Sequence, residues 1–107
     1  MRFLVVTEGK HPVPPEMALG LFDGVIGWFE RYKASGKFEA GWAFAGLPSV
    51  GGILNVESMD ELDSIMAEFP LGPFSETKIY ALVDLVESLK RTKKVIEAMM
   101  PPGGPGR

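Results

Sequence analysis

The chain of 107 residues has the length of a single domain, carries a formal net charge of -3 at pH 7, and contains no cysteine and one histidine. Disulfides, thiolate chemistry and a histidine-based metal cluster are therefore excluded, and the acidic balance argues against a nucleic-acid partner, because such binding needs a basic face. Hydrophobic residues make up 46% of the chain, more apolar surface than a small monomer buries easily, so we expect a homo-oligomer.

The N-terminal third of the sequence predicts a strand, a loop and a long helix. Residues 2–7 form a short apolar, β-branched run that indicates a strand buried on both faces. A loop with three prolines follows and contains the single histidine, His11. The helix is predicted over 15–34, because Pro15 suits a first helical turn and Gly36 suits a C-terminal cap. Its apolar stripe consists of Met17, Leu21, Val25, Trp28 and Tyr32.

A β-hairpin is predicted next, from two apolar runs at 37–45 and about 50–57 that a Gly-Leu-Pro turn separates. Strict alternation along the first run places its larger side chains on one aromatic face and small residues on the other. That face would hold Phe38, Ala40, Trp42 and Phe44. Gly51 and Gly52 begin the second run, which indicates either a bulge or the close approach of another chain or a ligand to the backbone.

The remaining elements complete an α+β fold. Ser58 followed by Glu61 is a capping box, which predicts a second helix with Leu62, Ile65, Met66 and Phe69 on its buried side. A proline-rich turn leads to a fourth strand at about 77–83. The order β-α-β-β-α-β is the split βαβ pattern of a ferredoxin-like sandwich, with both helices on one face of an antiparallel sheet. Since the strands are apolar on both sides, a second subunit is the simplest cover for the other face, giving a dimeric α/β barrel.

The C-terminal part is predicted to lie outside this domain, which spans 1–84. Residues 85–100 form a basic amphipathic helix, and 101–107 are rich enough in proline and glycine to form a flexible tail. The apolar side of that helix carries Leu85, Leu89, Ile96 and Met99. No apolar run is long enough to span a membrane and the N-terminus lacks a signal-peptide pattern, so we expect a cytoplasmic protein with no membrane partner.

Several motifs of the central stretch match a known family. They are Gly36, Phe38, Trp42 and Gly46, then Leu54-Asn55-Val56-Glu57-Ser58 with Glu61-Leu62, and Phe69-Pro70-Leu71-Gly72-Pro73-Phe74. In these residues the chain, over about 1–84, resembles the muconolactone isomerase family of small dimeric α/β barrel proteins. The resemblance implies a ferredoxin-like fold in a multi-subunit assembly, a pocket between helix and sheet, and a cofactor-free proton shift on an unsaturated lactone.

The polar positions of the family pattern hold different residues here. Where the family has an arginine and a histidine in the second strand, this chain has Glu39 and Ala40, and Ala43 replaces a further arginine. Val25 stands at the place of an acid on the first helix, and 50–52 replace a polar set in the third strand. Because a proton shift beside a carbonyl needs a base and a donor for the developing enolate oxygen, the resemblance alone leaves the reaction open.

Two groups of residues are the candidates for a functional site. His11 and Glu8 are the candidate catalytic residues, since an imidazole titrates near neutrality and a carboxylate at the end of the first strand would orient it. The candidate ligand pocket consists of Trp28, Tyr32, Trp42 and Phe44, which would line an apolar cavity with a few donors or, alternatively, pack the core.

These residues leave two functions open. The first is a cofactor-independent isomerase that acts on a small apolar carbonyl or lactone compound with His11 or Glu8 as the base. The second is a non-catalytic barrel that binds a small ligand or serves as an oligomerisation module. A heme- or quinone-handling relative is a third alternative, in which His11 would be the sole imidazole ligand. We expect no cofactor and no metal site.

Overall fold

The computed structural model of the protein describes residues 1–101 and shows four strands and three α-helices. The strands are β1 (Arg2–Gly9), β2 (Phe38–Ala43), β3 (Ser49–Asn55) and β4 (Ser75–Leu82). The helices are α1 (Pro15–Ala34), α2 (Met59–Ala67) and α3 (Leu85–Met99), and a 3-10 turn at Gly72–Phe74 precedes β4. Residues 102–107, which make up most of the predicted tail, lie outside the described residues.

The four strands form one antiparallel sheet in the order β2-β3-β1-β4. In this order α1 and α2 each connect two strands that have a third strand between them, which is the split βαβ arrangement. The predicted ferredoxin-like α+β fold is therefore confirmed. We call the side of the sheet that α1 and α2 cover the inner face, and the opposite side the outer face.

The core lies between the inner face and the two helices. Trp28 of α1 is at its centre, with its ring centroid 5.1 Å from those of Phe38 and Phe69. The Trp28 indole N–H donates to the Ile65 carbonyl of α2 at 2.9 Å, which ties the two helices together. The other buried apolar residues are Phe3, Val5, Leu54, Val56 and Leu62. The predicted buried side of α2 is thus confirmed, with Met66 half-buried.

The predicted helix ends are also present. Gly36 has a φ of 83°, a left-handed conformation that glycine adopts easily, and it follows the last turn of α1. The Ser58 hydroxyl accepts the Glu61 backbone N–H at 3.1 Å, and the Glu61 carboxylate accepts the Glu57 N–H at 2.9 Å. Each contact satisfies a backbone donor that the helix itself leaves unpaired, so these side chains fix where α2 begins.

A β-bulge in β2 changes the predicted distribution of its side chains. Phe38 pairs with Leu54, but the next pairing joins Ala40, not Glu39, to Ile53. One extra residue in a strand reverses the face to which all later residues point. The prediction of one continuous aromatic face from Phe38 to Phe44 is therefore wrong.

The residues after the bulge show this reversal directly. A Cβ added to Gly41 would lie 2.7 Å from the Cζ atom of Phe29, so Gly41 faces α1. Trp42, the next residue, points to the outer face and packs over Gly51, its partner in β3. The larger aromatic residue of β2 thus lies on the side of the sheet away from the helices.

Helix α3 extends away from the rest of the chain. None of its residues is buried, and its apolar residues Leu85, Leu89, Ile96 and Met99 are exposed. The radius of gyration is 19.4 Å, whereas a compact domain of this length has about 13 Å. In the part of the chain that the structure describes, no helix combines the length and hydropathy needed to cross a bilayer.

Candidate functional site

A cavity of about 310 Å³ lies between α1 and the inner face of the sheet. This volume is at the lower end of the roughly 300–1,000 Å³ that small-molecule sites occupy. Its walls are mainly apolar, and they come from Val25 to Phe29 of α1, Val5 and Gly52 of the sheet, and Met66 and Phe69 beyond. Thr7 and Glu30 are the lining residues with a hydroxyl or a charge. We call this space the helix-side cavity.

Two glycines determine the shape of the sheet below this cavity. A Cβ on Gly52 would lie 2.9 Å from both the Ala40 carbonyl oxygen and a Phe38 ring carbon, closer than side-chain atoms pack. Gly41 meets Phe29 in the same way. The close approach expected at Gly52 is therefore made by a ring of the chain itself, and glycine lets that ring lie against the strand.

A second space, of about 510 Å³, opens beside the first. We call it the loop-side groove, because the loop between β1 and α1 lines it with Lys10, His11 and Val13. Leu47 and Phe74 are further lining residues. The two spaces have four lining residues in common, which form a shared wall. These residues are Thr7, Ala43, Val50 and Phe69.

The two predicted tryptophans contribute to the helix-side cavity in different ways. Trp28 is 7% exposed and lines the cavity with its ring, while its N–H is already used by the Ile65 carbonyl. Trp42 is 40% exposed and lies at the rim, with its side chain on the outer face. Neither indole therefore places a free donor inside the cavity.

Tyr32 and Phe44 lie away from the lining of both spaces. The Tyr32 hydroxyl donates to the Glu68 carboxylate, and this hydrogen bond raises the pKa of the tyrosine. The Phe44 ring lies on the outer face, 3.4 Å from the position of a Cβ on Gly51. Tyr32 thus links α1 to the residue after α2, and Phe44 accompanies Trp42 on the outer face.

His11 and Glu8, the predicted catalytic pair, are in separate surroundings. The His11 backbone N–H donates to the Phe74 carbonyl at 3.1 Å, and the residue lines the loop-side groove. The Glu8 carboxylate accepts from Lys10 Nζ at 3.3 Å and is not part of either lining. Within the described residues, the nearest partner of Glu8 is therefore a lysine, and the structure does not bring the pair together.

Thr7 is a lining residue that sequence reasoning missed. It follows Phe3 and Val5 at intervals of two residues, which is the spacing of one face of a strand. Because Phe3 and Val5 are apolar, that spacing predicts that the Thr7 side chain points into the core with them. A polar residue on a strand face that is otherwise apolar and buried indicates a functional position.

The ionic groups of the sheet lie on the outer face. Arg2 donates to both carboxylate oxygens of Glu39, the bulged residue, at 3.0 Å to Oε1 and 2.7 Å to Oε2. This contact lowers the pKa of Glu39 from its usual range. In residues 1–101 no three acidic or histidine side chains are grouped closely enough to hold a metal ion. The helix-side cavity is thus an apolar space rather than an ionic one.

Two solved structures have the same fold. A crystal structure of muconolactone isomerase matches with a TM-score of 0.73 and 24% identity, over 78% of this chain and 90% of that one. A 5-chloro-2-hydroxyhydroquinone dehydrochlorinase from Burkholderia phenoliruptrix AC1100, in complex with 2,5-dihydroxybenzoquinone, matches with a TM-score of 0.65 and 18% identity, over 81% of this chain and 98% of that one. Because both identities are below 25%, these matches show a shared fold and no more.

Sequence comparison gives a more specific result. A search of curated proteins finds no match to this chain. The sequence pattern of the muconolactone delta-isomerase family, however, matches residues 1–87. That range includes all four strands and both helices that surround the cavity, and it ends at the beginning of α3. The chain therefore belongs to the muconolactone delta-isomerase family.

Proposed function

We propose that this protein binds a small, mainly apolar compound with a carbonyl or lactone group in the helix-side cavity, without a cofactor. The observation that carries the proposal is the cavity itself, with about 310 Å³ of space and mainly apolar walls. The relatives of the same fold support it, since one is a muconolactone isomerase and another is a dehydrochlorinase bound to 2,5-dihydroxybenzoquinone.

Binding is tested by titrating the protein with two uncharged compounds, α-angelica lactone and 2,5-dimethoxy-1,4-benzoquinone, in a calorimeter. The variant Met66→Trp fills the cavity from α2 and should abolish the binding of whichever compound binds to the unaltered protein. Asp63→Trp adds the same side chain at an exposed position of the same helix and should leave binding intact. Equal binding by the Met66→Trp variant, or binding of neither compound, would refute the proposal.

One observation favours catalysis in addition to binding. His11 lines the loop-side groove, which meets the helix-side cavity along a shared wall. As a base, His11 would take a proton from the carbon beside a lactone carbonyl and return it to another carbon of the conjugated system, so that no atom is gained or lost. Glu8 is the weaker candidate for the base, because its carboxylate is paired with Lys10.

The catalytic proposal predicts isomerisation of α-angelica lactone, which has a methylene group beside its carbonyl, to the conjugated β-angelica lactone. The reaction is followed by proton NMR in deuterated water. Removal of the base in His11→Ala should lower the rate by about 10²–10⁴-fold, the usual contribution of general base catalysis. Glu8→Gln is the matched comparison and should lower it much less. A protein that binds α-angelica lactone without exchanging or shifting its protons would instead be the non-catalytic ligand-binding alternative.

We propose further that a second copy of the chain covers the outer face of the sheet. Trp42 and Tyr80 are 40% and 50% exposed there, and Leu4, Val6 and Ile53 are half-buried beside them. Apolar side chains that remain exposed or half-buried together on one face of a small domain are typical of a subunit interface. This arrangement would form the predicted dimeric α/β barrel.

A further inference from the structure

The side chain of Thr7 is the one polar side chain in the buried core of residues 1–101, with 6% of its surface exposed. Its backbone carbonyl accepts the Ser49 hydroxyl at 2.8 Å. Its own hydroxyl makes no hydrogen bond to another group in that part of the chain. Moving a hydroxyl from water into a protein core without a hydrogen-bond partner destabilises the fold. The position of Thr7 in the core therefore needs an explanation.

The surroundings of Thr7 show where its hydroxyl can find a partner. Among residues 1–101, no fully enclosed side-chain nitrogen or oxygen lacks a hydrogen bond. Since the Thr7 oxygen has no bond to protein, it must remain in contact with open space. Thr7 lines both the helix-side cavity and the loop-side groove. The side chain that carries the hydroxyl thus borders both spaces, and its oxygen is not sealed off from them by the protein.

From this geometry we infer that the Thr7 hydroxyl is the group that recognises the ligand, by donating a hydrogen bond to an uncharged carbonyl oxygen in the helix-side cavity. The inference rests on the proposed function and narrows it to neutral ketones, lactones and quinones.

The electrostatics of the cavity explain why the ligand should be neutral. Glu30 is the one ionisable residue of the lining, and no lysine or arginine is part of it. In the loop-side groove, Lys10 is already paired with Glu8 at 3.3 Å and lies 4.0 Å from Glu76. A carboxylate in the helix-side cavity would therefore lose its hydration without gaining a cation, a costly transfer, whereas a carbonyl oxygen needs only one donor.

The experiment uses three probes with the same naphthalene body. They are 6-propionyl-2-(dimethylamino)naphthalene, a ketone; its 6-propyl counterpart, which lacks the oxygen; and 6-(dimethylamino)-2-naphthoate, an anion. Each is titrated into the full-length protein and into three variants, and binding is followed by probe fluorescence. Thr7→Val removes the hydroxyl at nearly constant shape, Thr7→Ser retains it, and Thr92→Val makes the same change at an exposed threonine that is part of neither lining.

We expect the unaltered protein to bind the ketone more tightly than the anion. Thr7→Val should raise the Kd of the ketone by about two- to tenfold, the effect of one neutral hydrogen bond. It should leave the Kd of the propyl probe unchanged, and it should shift the emission of the bound ketone to shorter wavelength, because the excited carbonyl loses its donor. Thr7→Ser and Thr92→Val should both behave like the unaltered protein.

The contrary results are distinct from one another. If Thr7→Val weakens the binding of the ketone and of the propyl probe equally, Thr7 only shapes the cavity. The inference is then wrong, although the proposed binding function stands. Tighter binding of the anion than of the ketone would overturn the preference for neutral ligands. If none of the three probes binds to the unaltered protein, the proposed function and this inference both fail.

Discussion

Gly41 and Gly27 are two glycines whose replacement by alanine should have opposite effects. At Gly41 the added methyl group overlaps the Phe29 ring, which cannot move away freely because its centroid lies 4.9 Å from that of Phe38. Gly41→Ala should therefore destabilise the protein by about 1–3 kcal/mol, the usual cost of overpacking. Its free energy of unfolding is measured by urea denaturation.

Gly27→Ala is the control for this effect. Gly27 is in the middle of α1, and an added methyl group meets nothing within 4 Å. Alanine is favoured over glycine in a helix by about 1 kcal/mol, so this variant should be more stable than the unaltered protein. A stable Gly41→Ala variant would mean that Phe29 has another position open to it, and the described packing below the cavity would be wrong.

At the scale of single residues, the sequence predicts which side chains are buried better than it predicts the face of the sheet to which a side chain points. Trp28 was placed correctly on the buried stripe of α1, because helical spacing alone determines its face. Trp42 was predicted to share a face with Phe38 but lies on the opposite one, because strand alternation assumes that every residue has a partner opposite. Nothing in the order of residues near Glu39 marks that position as the bulged one, and its Arg2 contact joins groups 37 residues apart.

Among the elements, α2 depends on a capping box that should make its stability sensitive to acid. The pKa of Glu61 is lowered, first by the Glu57 backbone N–H and then by Lys37, whose Nζ lies 3.0 Å from its carboxylate. A carboxylate with a lowered pKa stabilises the fold above its ordinary value of 4.5, and this contribution is lost as the pH falls through the folded pKa.

The variant Glu61→Gln should reveal this dependence. At pH 7 it should be less stable than the unaltered protein, and the difference should shrink as the pH falls below about 4.5, the ordinary pKa of a glutamate. Urea midpoints measured from pH 7 down to pH 3 provide the test, with the exposed Asp63→Asn as a control outside the capping box. A difference that stays constant with pH would show that the charge of Glu61 has no part in capping.

The elements themselves were largely predictable from local signals. Gly36 marks the C-terminal end of α1, and Ser58 with Glu61 marks the start of α2. These contacts span only a few residues, so the signals are visible in the sequence. The two cavities were less predictable, because each is bounded by residues from distant parts of the chain. The shared wall, for example, joins Thr7 of β1 to Phe69 beyond α2.

For the whole molecule, the outer face of the sheet leads to a prediction about assembly. Tyr80 lies opposite Leu4 on that face and is 50% exposed. If a second copy covers this face, Tyr80→Glu introduces a charge into an apolar interface and should convert the assembly to monomers. The mass in solution is measured by light scattering after gel filtration.

The neighbouring residue provides a matched control. Ile79 is 44% exposed and points to the opposite side of the same strand. Ile79→Glu should therefore retain the assembly. A monomeric unaltered protein, or loss of assembly in both variants alike, would contradict an interface on the outer face.

Helix α3 should be dispensable for the stability of one subunit. It buries no residue and lies beyond most of the region that matches the family pattern. Removal of residues 85–107 should therefore shift the Tm by less than about 4 °C, which corresponds to less than 1 kcal/mol for a domain of this size. The melting curve is followed by circular dichroism at a fixed protein concentration. A larger decrease would show that the apolar side of α3 packs against protein.

The bulge at Glu39 also marks where this gene can lose a codon. Loss of that single codon would join Phe38 directly to Ala40, so that Ala40, Gly41 and Trp42 would keep their partners in β3 and the faces to which they point. Gly41 would still lie against the Phe29 ring. We therefore expect natural variants to tolerate an in-frame deletion at Glu39, which removes the contact with Arg2 but leaves the cavity and the aromatic rings of the outer face in place.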